Sequence, residues 1–130
     1  MSLITLETEN PVAIDSPDHI APAGTIVDNR TNVDYVNAVK NYFDGPFKVL
    51  DMGCAGAQMI ADYIDAGYVA VGLEGSTHVL TGAGSHNWDK HHNKNLFNVD
   101  LSKPFQLKED GGDMKFGFIH SWDVVEHIHP

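Results

Sequence analysis

Three acidic residues, Asp51, Glu74 and Asp100, each follow a short apolar run. Behind the first of them comes a turn of small residues, Met52-Gly53-Cys54-Ala55-Gly56-Ala57. Small side chains let a backbone approach a ligand closely. A helix that starts just after such a turn aims its amide N–H groups, with their partial positive charge, at the same place. A nucleotide-like ligand suits that arrangement. The plainer account is a tight turn that only packs a helix on a strand, and glycine-rich turns alone discriminate weakly. Glu74 adds weight, because an acid at the end of the next strand, roughly twenty residues on, can accept hydrogen bonds from both hydroxyls of a ribose. Asp100, ending a third strand, could accept from an exocyclic amine such as that of adenine. A single solvated carboxylate at a strand end is common. Three at successive strand tips would gather along one edge of a sheet.

A second pattern lies further on. Asp123, Glu126 and His127 are spaced i, i+3, i+4, which puts them on one face of a helix. Two carboxylates and an imidazole on one face can ligate a divalent metal cation. A helix start without metal is the plainer account and the favoured one. His86, His91, His92 and His129 show no Cys/His spacing of a structural zinc site, and the first three read as part of a solvated loop. Trp88 in that loop could stack on a ligand ring or anchor the loop by burial. Cys54 is explained by its small size, and no catalytic thiol is read from it. No Ser/His/Asp set has the strand–turn–helix context of a hydrolase.

The elements that must position these residues follow from periodicity. Met1 to Arg30 has no sustained period, is punctuated by Pro11, Pro17 and Pro22, and reads as an irregular arm that could be partly ordered against the domain. The domain proper is expected over residues 31–130. Val33, Val36, Ala38, Val39, Tyr42 and Phe43 recur at helical spacing, with Thr31 or Asn32 as cap and Asp44-Gly45-Pro46 as the stop. Phe47 to Asp51 reads as a buried strand, Gln58 to Ala66 as a helix stopped by Gly67, and Tyr68 to Leu73 as a second strand ending at Glu74. Gly75 to Asn95 reads as a short helix around His78 to Leu80 and then a loop. Leu96 to Val99 is a third strand, Lys103 to Asp113 a connection, and Lys115 to His120 a fourth strand, with a helix from about Asp123. Alternating strands and connections predict an α/β fold with a parallel sheet and helices on both faces.

Composition narrows the function. The chain has 130 residues, which fits one domain, and one cysteine, which excludes an internal disulfide and is consistent with a reducing, cytoplasmic setting. The first ten residues lack the pattern of a signal peptide, and no stretch is apolar enough to span a membrane. A formal net charge of −10 disfavours generic nucleic-acid binding. Only Lys90 and Lys94, with His91 and His92, hint at a basic groove.

Val49-Leu50-Asp51-Met52-Gly53-Cys54-Ala55-Gly56-Ala57 resembles the first motif of class I S-adenosylmethionine (SAM)-dependent methyltransferases. Val71-Gly72-Leu73-Glu74-Gly75-Ser76 looks like their second motif. Asn98-Val99-Asp100-Leu101 sits where that family places its adenine-side acid, and Phe116 to Ile128 is similar to the fourth-strand motif and the helix after it. The resemblance covers Phe47 to the end, with four motifs in order. It implies a Rossmann-like doubly wound sheet of strand order 3-2-1-4. It also implies that Asp51 with Gly53, Cys54 and Ala55 holds the methionine end of SAM. Glu74 and Gly75 would take the ribose, Asp100 and Leu101 would flank the adenine, and Ser121 and Trp122 would line the pocket beside the substrate. Ala55 and Ala57 depart from the family, which often has glycine there. Some members hold a metal with a Glu-x-x-Glu-His pattern, in which Asp123 here replaces the first Glu. The family's full domain has more strands than the four read here, so the chain is expected to stop before its substrate half is complete. Its fourth strand would be an exposed edge that invites self-association. The methyl acceptor and the general base are assigned to no residue. Two other readings share the topology: an NAD-binding Rossmann protein, whose G-x-G-x-x-G register is not met by Gly53 and Gly56, and a catalytically inactive SAM-binding or scaffold fragment.

Overall fold

The computed structural model describes residues 2–20, 33–43 and 47–121. Its elements, in chain order, are β1 (Ile4–Thr8), α1 (Pro17–Ile20), α2 (Val33–Tyr42), β2 (Lys48–Met52), α3 (Gln58–Asp65), β3 (Val69–Glu74), a 3₁₀ turn (Thr77–Leu80), α4 (Ser85–His91), β4 (Leu96–Asn98), β5 (Phe105–Glu109), β6 (Gly112–Asp113) and β7 (Phe118–Ser121). Four strands form a parallel sheet in the order β4-β3-β2-β7. The fold is thus mixed α/β around a parallel sheet.

Alternation along the strands divides the apolar residues between two cores. Val49, Ala70 and Leu96 face α2, α3 and α4, and pack with Val36, Val39, Ile60, Tyr63 and Trp88. Leu50, Val71 and Phe97, one residue further along each strand, face the other way and pack with Ile4, Leu107 and Met114. Each large apolar side chain fully buried in this way stabilises the fold by about 1.5–3 kcal/mol. α3 ends where expected. Gly67 takes φ 91°, and its N–H donates to Ile64 O at 2.9 Å. A left-handed residue just past a helix end costs glycine nothing.

Four expectations need correction. Among the described residues, the face opposite α2, α3 and α4 is covered by a second, antiparallel sheet, order β1-β5-β6, and not by helices. The arm read as irregular supplies β1, whose Leu6 pairs with Leu107 and whose Ile4 enters the core. The connection from Lys103 to Asp113 is a hairpin of β5 and β6. Its turn residues Asp110 and Gly111 take φ 51° and 84°, as a two-residue hairpin with both central residues left-handed requires. The loop after the 3₁₀ turn, in turn, contains α4. Lys48 at the start of β2 pairs with Glu109 at the end of β5 and ties the two sheets together.

Among the described residues, no helix is long and apolar enough to cross a membrane. Residues 44–46, the cap candidates Thr31 and Asn32, and Trp122, Asp123, Glu126, His127 and His129 lie outside the described residues. The metal-ligating pattern thus falls outside them; among the described residues no group of three or more His, Cys, Asp or Glu side chains is placed to hold a metal ion.

Candidate functional site at the sheet's carboxyl edge

The parallel register brings the three strand-end acids to one edge. Asp51 is on β2, Glu74 is the last residue of β3, and Asp100 follows β4 by two residues. The three strands are neighbours. In open α/β sheets ligands bind outside this edge.

The turn after β2 is held at almost every peptide group. Gly53 N and Cys54 N donate to Leu73 O at 2.7 and 3.0 Å, and Ala55 N donates to Glu74 Oε1 at 3.0 Å. On the far side, Trp88 Nε1 donates to Ala55 O at 2.8 Å, and Asn87 Nδ2 donates to Gly56 O at 2.9 Å. A Cβ on Gly84 would lie 2.3 Å from Gly56 Cα, so the start of α4 sits directly on the turn. Trp88 is fully buried, which settles its role as an anchor. Neither Asn87 nor Trp88 was legible as a support for the turn, because the contact joins residues about thirty positions apart.

Three residues of the turn have positive φ: Gly53 at 87°, Ala55 at 47° and Ala57 at 65°. For an alanine this conformation costs roughly 1–2 kcal/mol. The departures from glycine are thus strained positions. Their effects differ, because the Ala57 methyl lies in the helical-face core whereas Ala55 is half-buried. Ala55→Gly is expected to stabilise the chain by about 0.5–1 kcal/mol after the unfolded-state entropy of glycine is counted. That corresponds to a rise of roughly 3 °C in a thermal melt. Ala57→Gly is expected to change little, since it forfeits about 0.8 kcal/mol of buried methyl. α3 starts at Ala57 with no side-chain cap, so its first-turn amides are offered toward the edge.

Glu74 is buried and serves as a clamp. Its second oxygen accepts from Ser76 N at 3.0 Å, so the carboxylate joins the turn after β2 to the turn after β3. Asn98 Nδ2 donates to Glu74 O and Ser76 O, both at 3.3 Å, and stitches β4 to the same corner. Asp100 Oδ1 accepts from Ser102 N at 3.0 Å and Ser102 Oγ at 2.6 Å, so one oxygen is committed to its own turn. Leu101 is half-buried against the sheet-face core. Ser121 ends β7 beside Met52, exposed.

The N-terminal segment is ordered against the domain and also reaches this edge. Ala13 N donates to Gly75 O at 2.8 Å, and Asp100 N donates to Asn10 O at 2.7 Å. A Cβ on Gly75 would meet the Ala13 methyl at 2.8 Å. His19 stacks on His78 with ring centroids 4.8 Å apart, and its Nδ1 lies 3.4 Å from Ser76 Oγ. No sequence periodicity signals this segment, because it is fixed by backbone bonds at two single points.

Charge at the site is acidic. Burial first, then Asp51 and Glu74, push the Cys54 thiol well up, so it stays protonated and is no nucleophile. On α4, burial and then Lys90 push His91 down, which removes part of the basic groove that Lys90, Lys94, His91 and His92 hinted at. Asp51 Oδ1 is buried and accepts no hydrogen bond. No protein-family model matches the chain, and neither a curated protein nor a solved structure matches it.

Proposed function

We propose that this chain is the cofactor-binding portion of a SAM-dependent methyltransferase with a class I, Rossmann-like sheet. The observation that carries the proposal is the placement of Asp51, Glu74 and Asp100 at the ends of three adjacent parallel strands, with a braced turn and an uncapped helix between the first two. The residues present suit the cofactor. Asp51 Oδ1, which accepts no hydrogen bond, fits a donor such as the ammonium of the methionine end, and Glu74 is the strand-end acid offered to the ribose hydroxyls. Asp100 keeps a second carboxylate oxygen beyond the one that caps its own turn, for the exocyclic amine of adenine. Leu101 supplies apolar contact, and Ser121, at the end of β7, belongs to the acceptor side. A reducing, cytoplasmic setting belongs to the same proposal.

When bound, SAM supplies an electrophilic methyl group on a sulfonium. What this chain contributes is positioning. The turn is fixed by Leu73, Glu74, Asn87 and Trp88 before any ligand arrives, so little ordering remains to oppose binding. The acceptor and any general base are assigned to no residue.

Calorimetric titration with S-adenosylhomocysteine, with NAD as control, tests the assignment. Selective binding of S-adenosylhomocysteine at micromolar strength is expected. Preference for NAD, or binding of neither by a folded sample, would overturn it.

A further inference from the structure

Away from the turn, one cluster of polar groups is buried without partners. The parallel register sets His120 on β7 directly beside Asp51 on β2. His120 Nδ1 lies 3.3 Å from Asp51 Oδ1, and both side chains are 7% exposed. The two are close enough for strong charge coupling yet lack hydrogen-bond alignment: Asp51 Oδ1 and both ring nitrogens of His120 have no hydrogen-bond partner. The hydroxyl of Tyr63 is buried and unpartnered as well.

The imidazole is enclosed by rings. Tyr35 of α2 meets it edge-on with centroids 5.8 Å apart, Tyr63 of α3 lies at 6.2 Å, and Phe118 of its own strand at 5.4 Å. Burial raises the Tyr63 phenol, with Tyr35 and Asp51 adding to the effect, and burial followed by Asp51 raises Tyr35. Both phenols are therefore neutral at physiological pH. Among the described residues, the titratable groups that face His120 from β2, α2 and α3 are Asp51, Tyr35 and Tyr63.

A buried imidazole with two idle nitrogens is costly unless its charge is used. We propose that Asp51 and His120 act as one proton-holding pair, so that arrival of the ligand's ammonium group at Asp51 expels a proton from His120. This rests on the SAM-binding reading of the site. With His120 protonated, the imidazolium already neutralises the Asp51 carboxylate. An incoming ammonium then meets a like charge at close range in a poorly solvated place. The N–H bond of the imidazolium breaks, its electron pair stays on the ring nitrogen, and the proton passes to water. With His120 neutral, the ammonium takes the carboxylate without proton release. Affinity consequently falls as pH drops, by at most about tenfold per pH unit. The ligand's own carboxylate and ammonium keep their charges between about pH 6 and neutrality.

The test is calorimetric titration of S-adenosylhomocysteine into the full chain near neutrality and at about pH 6, in two buffers of different ionisation heat. Wild type is expected to bind several-fold more weakly at the lower pH and to release up to one proton there. H120Q, which cannot be protonated, is expected to bind equally at both pH values and release none. H120N serves in its place if H120Q does not melt cooperatively. Equal heats in the two buffers with a flat pH profile in wild type, or proton release retained in the variant, would overturn the pair while leaving the cofactor site intact. A folded wild-type chain that binds nothing at either pH would overturn the cofactor reading and the proposal with it.

Discussion

Glu74→Ala is expected to lower stability by about 2–3 kcal/mol and to abolish binding of S-adenosylhomocysteine. The carboxylate accepts from two backbone amides, Ala55 N and Ser76 N, on two different turns. A hydrogen bond to a charged group contributes about 1.5–3 kcal/mol, and its loss leaves a donor unsatisfied. Relief of the buried charge offsets part of that sum, which keeps the net below the simple total of two bonds. Thermal melts of the free chain should show a fall of roughly 10 °C. The ligand effect is separable. At low temperature, where the variant is still folded, its affinity should be down by more than about a hundredfold, because the turn and the ribose acceptor are lost together. Glu74→Gln should fall between. It keeps one oxygen for an amide but turns its NH₂ against the other donor.

Trp88→Ala is expected to have the largest effect on stability, about 3–5 kcal/mol. The indole is fully buried in the helical-face core, and its Nε1 donates to Ala55 O at 2.8 Å. Whole domains are stable by only about 5–15 kcal/mol, so this variant should sit near the limit of folding. Trp88→Phe separates the two contributions. It retains most of the apolar bulk but leaves Ala55 O without the indole donor, at about 1–3 kcal/mol. Denaturant titration of the three proteins gives both differences. A Trp88→Phe variant as stable as wild type would show that the indole N–H does not brace the turn.

What the sequence disclosed depends on how each element is held. β2 and β3 were legible because a parallel strand buried on both faces is a nearly unbroken apolar run, as in Val69-Ala70-Val71-Gly72-Leu73. The strand-end acids were legible for the same reason, since they mark where such a run stops. β1 was missed although Ile4 and Leu6 alternate with Thr5 and Glu7, because five residues of alternation are a weak signal beside three prolines. The Asp110-Gly111 pair is hairpin chemistry, but two residues of β6 are too short to stand out from a connection. α4 was hidden by Gly82 and Gly84 before it and by its polar composition, which conceals a face built on Asn87 and Trp88. His120 could not be singled out at all. Its relation to Asp51 exists only through the register of two strands almost seventy residues apart.

The central claim is that a SAM-type ligand binds at the edge formed by Asp51, Glu74 and Asp100. At 130 residues the chain suits amide-resolved NMR, and shift mapping with S-adenosylhomocysteine is the most direct measurement. Shifts are expected to concentrate in Gly53 to Ala57, Glu74 to Ser76 and Asp100 to Leu101, with β5 and β6 unmoved. Shifts confined to β1, β5 and β6, or no shifts at saturating ligand in a folded chain, would contradict it.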